Sequence, residues 1–175
     1  MITKADDYPI HQTPEPIAFA GSDRNFYDRY FFNGYNADGT VFFAAAMGFY
    51  PQLGIADAAF CLSIDGKQHN LRASRHMLGE RMELSVGPIR IKIVEPLKQL
   101  HLTVDDNDSG ISADLTFCAR HTPIEEPRFT RRNGTRLLMD VTRMTQNGRW
   151  SGSIRHDGLD IEISDSAFMG TRDRS

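Results

Sequence analysis

The feature that most constrains this chain is a period of two. From position 111 the residues Ile111, Ala113, Leu115, Phe117 and Ala119 alternate with Ser112, Asp114, Thr116, Cys118 and Arg120. Only an extended strand puts residues i, i+2 and i+4 on one side; a helix would scatter them around its axis. The pattern recurs in Ile89, Ile91 and Ile93 against Arg90 and Lys92, and in Leu100, Leu102 and Val104 against His101 and Thr103. It recurs once more in Leu159, Ile161 and Ile163 against Asp160 and Glu162. Asp38-Gly39, Asp65-Gly66, Asn147-Gly148 and Asp157-Gly158 are dipeptides that accept the positive φ of tight hairpin turns, and each lies between apolar runs. No window of a dozen residues keeps a helical period. Strands are therefore predicted at about 27–35, 40–50, 58–65, 68–77, 81–86, 88–95, 98–105, 111–121, 135–146, 149–156 and 158–169. Strands joined by tight turns are antiparallel neighbours. The expected fold is all-β: an antiparallel up-and-down meander curled into a β-barrel or a two-layer β-sandwich.

Residues 1–25 contain prolines and acids without periodicity and read as an extended N-terminal arm, leaving 26–175 as one domain. A chain of 175 residues buries roughly 70% of its unfolded surface, enough for a real core. Twenty Lys and Arg against 23 Asp and Glu give a net charge of -3, without the clustered positive charge that nucleic acid or an anionic membrane requires. Cys61 and Cys118 are too few for a disulfide scaffold or a thiolate zinc site, so buried free thiols are expected, with a single bridge between adjacent strands as the alternative. The first twenty residues lack an apolar signal core, and the apolar run 41–50 is about half a membrane span; a cytoplasmic protein is the expectation. There is no G-x-S-x-G elbow, P-loop, G-x-G-x-x-G, H-E-x-x-H or C-x-x-C. No cofactor and no metal are expected. Asp105 to Gly110 imitates the start of a calcium loop, but Thr116 stands where a bidentate Glu is needed, so it reads as a polar turn.

Three segments carry candidate chemistry. On a strand through 68–76, Gln68, Asn70, Arg72, Ser74 and His76 share one face, and His69, Leu71, Ala73 and Arg75 the other. Such a face either floors a polar pocket or meets water. Arg29, Asn33 and Tyr35 form a second mixed set, with the same two readings. The run Thr40 to Tyr50 is apolar on both faces. That calls for a strand covered on both sides, by the arm, by another domain or subunit, or by a cavity that its small Ala residues would wall. The basic run Arg128 to Arg132 reads as a solvated loop or a crossing between sheets.

Several stretches carry a resemblance: Tyr30-Phe31-Phe32-Asn33-Gly34-Tyr35, Asp57-Ala58-Ala59-Phe60, Gln68 to Arg75, Val86-Gly87-Pro88-Ile89-Arg90, Glu125-Glu126-Pro127-Arg128-Phe129, Gly148-Arg149-Trp150-Ser151-Gly152 and Gly170 to Ser175. Over residues 26–175 the chain resembles an uncharacterised bacterial family similar to the AttH-like and hydroxyneurosporene synthase (carotenoid hydratase) lipocalin-like proteins. The resemblance implies a lipocalin-like, calycin-type barrel with a cavity for an apolar or amphipathic small molecule. It also implies two such halves in tandem, this chain matching the N-terminal one. The expected function is binding of a lipid, isoprenoid or steroid-like ligand in that cavity, between Phe42, Phe60, Phe117 and Trp150. Asn33, Tyr35, Asp57, His69, Arg72, Arg75 and His76 are the polar candidates. One alternative is a hydratase, lyase or isomerase acting on an isoprenoid-like substrate, its acid or base drawn from His69, His76, Arg72, Asp57 or Tyr35. The other is a structural half that packs on a second lipocalin-like half or forms a homodimer. No catalytic residue carries over from the resemblance.

Overall fold

The computed structural model describes residues 2, 4–9, 23–77, 80 and 82–175; most of the proposed arm, His11 included, lies outside the described residues. A short 3-10 turn at Lys4–Asp7 precedes twelve strands. These are β1 (Asp28–Asn36), β2 (Val41–Tyr50), β3 (Ile55–Ile64), β4 (Lys67–His76), β5 (Ser85–Val86), β6 (Ile89–Glu95), β7 (Gln99–Val104), β8 (Ile111–Ala119), β9 (Ile124–Asn133), β10 (Arg136–His156), β11 (Leu159–Ile163) and β12 (Phe168–Arg174). They form one antiparallel sheet in the order β4-β3-β2-β1-β12-β10-β8-β7-β6-β5, with β9 and β11 both paired to the long β10. The chain is the all-β antiparallel barrel that the alternation predicts, nearly closed, with sequential hairpins in β1–β4 and β5–β8.

The turns follow the dipeptides in three of four cases. Gly39 has φ +73°, and both residues of Asp65-Gly66 and of Asp157-Gly158 have positive φ, as tight hairpins demand. Asn147-Gly148 corrects the reading. It lies inside β10, where Gly148 faces Ala119 of β8 and Gly170 of β12. Glycine is required there for space, because a Cβ would stand 2.3 Å from the Phe117 ring. The predicted strands 135–146 and 149–156 are therefore one, and 158–169 divides into β11 and the start of β12. The run 128–132 is a strand as well, within β9.

β9 pairs with the first half of β10 to make a ribbon exposed along most of its length. Phe129, Leu137, Leu138 and Met139 are exposed on it. Arg128 forks onto Asp140 at 2.6 Å through both Nε and a terminal nitrogen. Water on both faces removes the need for apolar alternation, which is why the sequence pattern does not mark this strand.

Inward aromatic residues pack on one another in the middle of the barrel. Trp150, fully buried, meets Phe43 and Phe117 edge-to-face at 5.2 Å and Phe32 at 5.9 Å, while Phe43 stacks on Phe60 at 6.0 Å. Between Phe32/Arg172 and Tyr35/Met169 the β1–β12 ladder opens. There the indole nitrogen donates to the Asn33 carbonyl at 2.8 Å, and the Thr171 amide donates to Asn33 Oδ1 at 2.9 Å. The thiols correct another expectation: Cys61 is half-buried and Cys118 exposed, both free, because each falls on the outward set of its strand. Among the described residues no helix is long and apolar enough to cross a membrane.

Trp150 is the single tryptophan. Trp150→Ala is expected to lower stability by about 3–5 kcal/mol in urea unfolding, with the blue-shifted emission of a buried indole lost. Phe129→Ala on the ribbon is expected to stay within about 0.5 kcal/mol.

Candidate functional site

The register places the outward residues of β1–β4 in rows. One row reads Arg29, Gly48, Asp57, Ser74; the next reads Phe31, Ala46, Ala59, Arg72; Tyr50, Ile55 and His76 lie on the other side of the first. The middle of this surface is built from residues with little or no side chain, so it is hollow. A concavity of about 580 Å3 results, lined by Arg29, Ala46, Gly48, Tyr50, Asp57, Ala59, Arg72 and Ser74 among others. Its small residues are those that made β2 apolar on both faces.

Gly48 sets the local geometry. A Cβ there would stand 2.9 Å from Asp57 Oδ1 and from the Tyr50 hydroxyl. Without one, the Tyr50 ring lies back across the strand and its hydroxyl donates to the Asp57 carboxylate. Burial, reinforced by the negative charge of Asp57, pushes the Tyr50 phenol above its ordinary range. It therefore keeps its proton at neutral pH. Arg29 lies beside this pair, 3.4 Å from Asp173 and over the Phe31 ring at 5.7 Å. Its Nε is buried without a hydrogen-bond partner. The hollow thus offers a proton donor, a carboxylate and two guanidinium groups above an apolar floor.

The sequence-derived candidates are distributed as follows. Asp57 and Arg72 meet in the hollow, and His76 is exposed at its edge in the row of Tyr50. Tyr35 and Phe42 stand opposite one another at the far end of the same outer face, each more than a third exposed. Asn33 lies between, with its carbonyl and its side chain engaged by Trp150 and Thr171. Phe60, Phe117 and Trp150 point inward and pack on neighbouring rings. Arg75 is at the seam between the barrel's first and last edges, donating from Nε to Ser85 O at 2.6 Å and from a terminal nitrogen to Glu83 O at 2.9 Å. His69 faces His156 at 4.0 Å between ring centroids, in the row of Gly34, Phe43 and Leu62. Sequence reasoning missed Tyr50 and Gly48. Parity alone could have placed both on the outer face with Asp57, once β2 and β3 are read as a hairpin. Among the described residues there is no cluster of three or more His, Cys, Asp or Glu side chains fit to hold a metal ion.

Residues 2–175 match a family described as being of unknown function, DUF8625. No curated protein matches the chain in sequence. Two solved structures are similar in fold. Kievitone hydratase from Nectria haematococca is 13% identical with a TM-score of 0.62, the alignment covering 99% of this chain and 54% of that one. CghA, solved with Sch210972, is 11% identical with a TM-score of 0.51, over 85% of this chain and 45% of that one. The chain thus spans about half the length of these structures, and the likeness is one of barrel architecture.

Asp57→Asn is expected to bring the Tyr50 phenol back toward its ordinary value, and Gly48→Ala to do the same by forcing the two side chains apart. Phenolate absorbance titration, taken as the difference from a Tyr50→Phe protein, reads the shift. An unmoved midpoint in both variants would show that the pair does not interact.

Proposed function

The chain belongs to the family of unknown function DUF8625, and we propose that it binds an amphipathic small molecule in the hollow on the outer face of β1–β4. The observation that carries this reading is the Tyr50–Asp57 pair held over a Gly48, Ala46 and Ala59 floor beside Arg29 and Arg72. An apolar body of isoprenoid, lipid or steroid type would lie on the small residues. A polar or anionic group on it would turn toward Arg72 and the Tyr50 hydroxyl. The outer face is favoured over the barrel interior because the inward aromatic rings already pack on one another.

A second reading is favoured by the same pair and by the fold shared with a hydratase. Here Tyr50 would deliver a proton to one carbon of a substrate double bond. Water would add to the other carbon and lose a proton to Asp57, which returns it to Tyr50 along their hydrogen bond. For partners, we propose a second lipocalin-like half or a second copy of the chain, meeting the exposed ribbon at Phe129, Leu138 and Met139.

Native mass spectrometry of the purified chain reads three things together: a co-purified adduct, its mass and the oligomeric state. For binding, the probe is anilinonaphthalene sulfonate, an aromatic body with an anionic group. Arg72→Ala and Tyr50→Phe are each expected to weaken its binding about tenfold, the loss of one charge-assisted or buried hydrogen bond, while Lys92→Ala, at an exposed position of β6 outside the hollow, leaves it unchanged. Equal affinity in all three proteins would contradict this site. For turnover, an isoprenoid alkene is expected to gain the mass of one water in the wild type only, not in Asp57→Asn.

A further inference from the structure

The end of the barrel opposite the β1–β2 turn holds a group that neither reading above uses. Arg172 and Arg174 are inward residues of β12 and are almost wholly buried, at 1% and 0% exposure. Arg174 lies over the Tyr30 ring, 3.4 Å from its centroid, and donates to Asp28 at 2.5 Å. Arg172 instead forks onto the carboxylate of Asp7, a residue from the 3-10 turn at the start of the chain. Leu97 completes the grip by donating its backbone N–H to Asp7 Oδ2 at 2.5 Å.

Each donor in this grip is held by something other than Asp7. Arg172 Nε donates to Gln146 Oε1 at 2.8 Å. The Gln146 amide nitrogen donates in turn to the carbonyls of Leu97 at 2.8 Å and His121 at 2.7 Å. The Arg172 backbone is fixed between Phe32 of β1 and Gln146 of β10. Leu97 sits at φ +65°, a conformation that a branched side chain enters only when its surroundings impose it. The Phe117 ring lies 5.8 Å from the guanidinium carbon. A planar fork and one backbone N–H thus converge on a point just inside the barrel, and the geometry matches a carboxylate.

We propose that this barrel end is a carboxylate-binding site, filled in cis by Asp7, and that it accepts the carboxylate of a free monocarboxylic acid when Asp7 is withdrawn. The physical basis is the cost of leaving Arg172 buried without a counter-charge, which is several times that of losing an exposed ion pair. Withdrawing Asp7 leaves the fork and the Leu97 N–H in place, because Gln146 and the neighbouring strands still hold them. A replacement must be planar, bear two oxygens and be slim behind its carboxyl group. Acetate and formate qualify, whereas chloride, a single atom, draws the two guanidinium N–H bonds together and leaves no second acceptor for the Leu97 N–H in the position of Asp7 Oδ2.

The test is thermal unfolding of the full chain carrying Asp7→Ala. Its melting temperature is expected to fall by about 10 °C, and acetate at about 0.1 M to recover about half of that loss. Chloride at the same ionic strength is expected to recover little. The control is Asp7→Ala combined with Arg172→Gln, which removes both buried charges together, so folding is retained and the acetate effect disappears. Acetate acting no better than chloride, or equally well without Arg172, would overturn the proposal. If the single variant does not accumulate folded, refolding from urea in acetate and in chloride gives the same decision. Recovery in acetate alone supports the site, and failure in both overturns it.

Discussion

The rest of the structure depends on how the barrel accommodates Trp150. An indole in the middle of a sheet curled on itself needs room, and the neighbouring β12 supplies it at Gly170, while Gly148 on the indole's own strand leaves the same room for Phe117. A Cβ on Gly170 would lie 2.4 Å from the indole nitrogen, and one on Gly148 would lie 2.3 Å from the Phe117 ring. A buried indole N–H also needs an acceptor, since an unpaired donor costs about 1–3 kcal/mol. The opened stretch of the β1–β12 ladder provides the Asn33 carbonyl. Packing and hydrogen bonding therefore fix the same three strands to one another, and the aromatic residues around Trp150 occupy the middle of the barrel.

An interior packed with aromatic rings around Trp150 has consequences in two directions. At one end, β12 continues its inward alternation into Arg172 and Arg174, so charges enter the barrel and must be neutralised there. Asp28 and Asp7 do this, and the start of the chain is thereby drawn against the barrel. On the outside, the run of small residues in β2 has no core to fill. It becomes the floor on which Tyr50 and Asp57 meet. Polar groups of the first kind are spent on closure. Those of the second kind remain arranged around open space, and for that reason the functional proposal rests on them.

Much of this was legible in the residue pattern, because alternation and Asp-Gly turns are local signals that the tertiary fold did not override. β1–β4, β6, β7 and β8 lie close to their expected spans. The misreadings have specific causes. Asn147-Gly148 has the composition of a turn, but its glycine answers to the Phe117 ring; β9 has both faces wet and so no apolar set to detect. The site was harder. Alternation says which residues share a face and not which face is inside. Strand parity separates Arg72 from His69 and Arg75, but only the β3–β4 register shows that Arg72 shares the outer face with Asp57. Arg172 and Arg174 show the same limit in reverse, since a strand of alternating charged residues reads as a wet edge until the sheet closes around it. The partnership of Asp7 with Arg172 spans 165 positions, and no local pattern announces it.

The central claim is that the working surface is the outer hollow, with the interior given over to packing. The most direct measurement is a two-dimensional amide spectrum of the isotope-labelled protein, titrated with anilinonaphthalene sulfonate. The account predicts progressive shifts at 46–50, 57–59 and 72–74, with the lone Trp150 indole N–H signal unmoved. Shifts of that indole signal and of the Phe60 and Phe117 amides, with the hollow silent, would place the ligand inside the barrel and contradict the account.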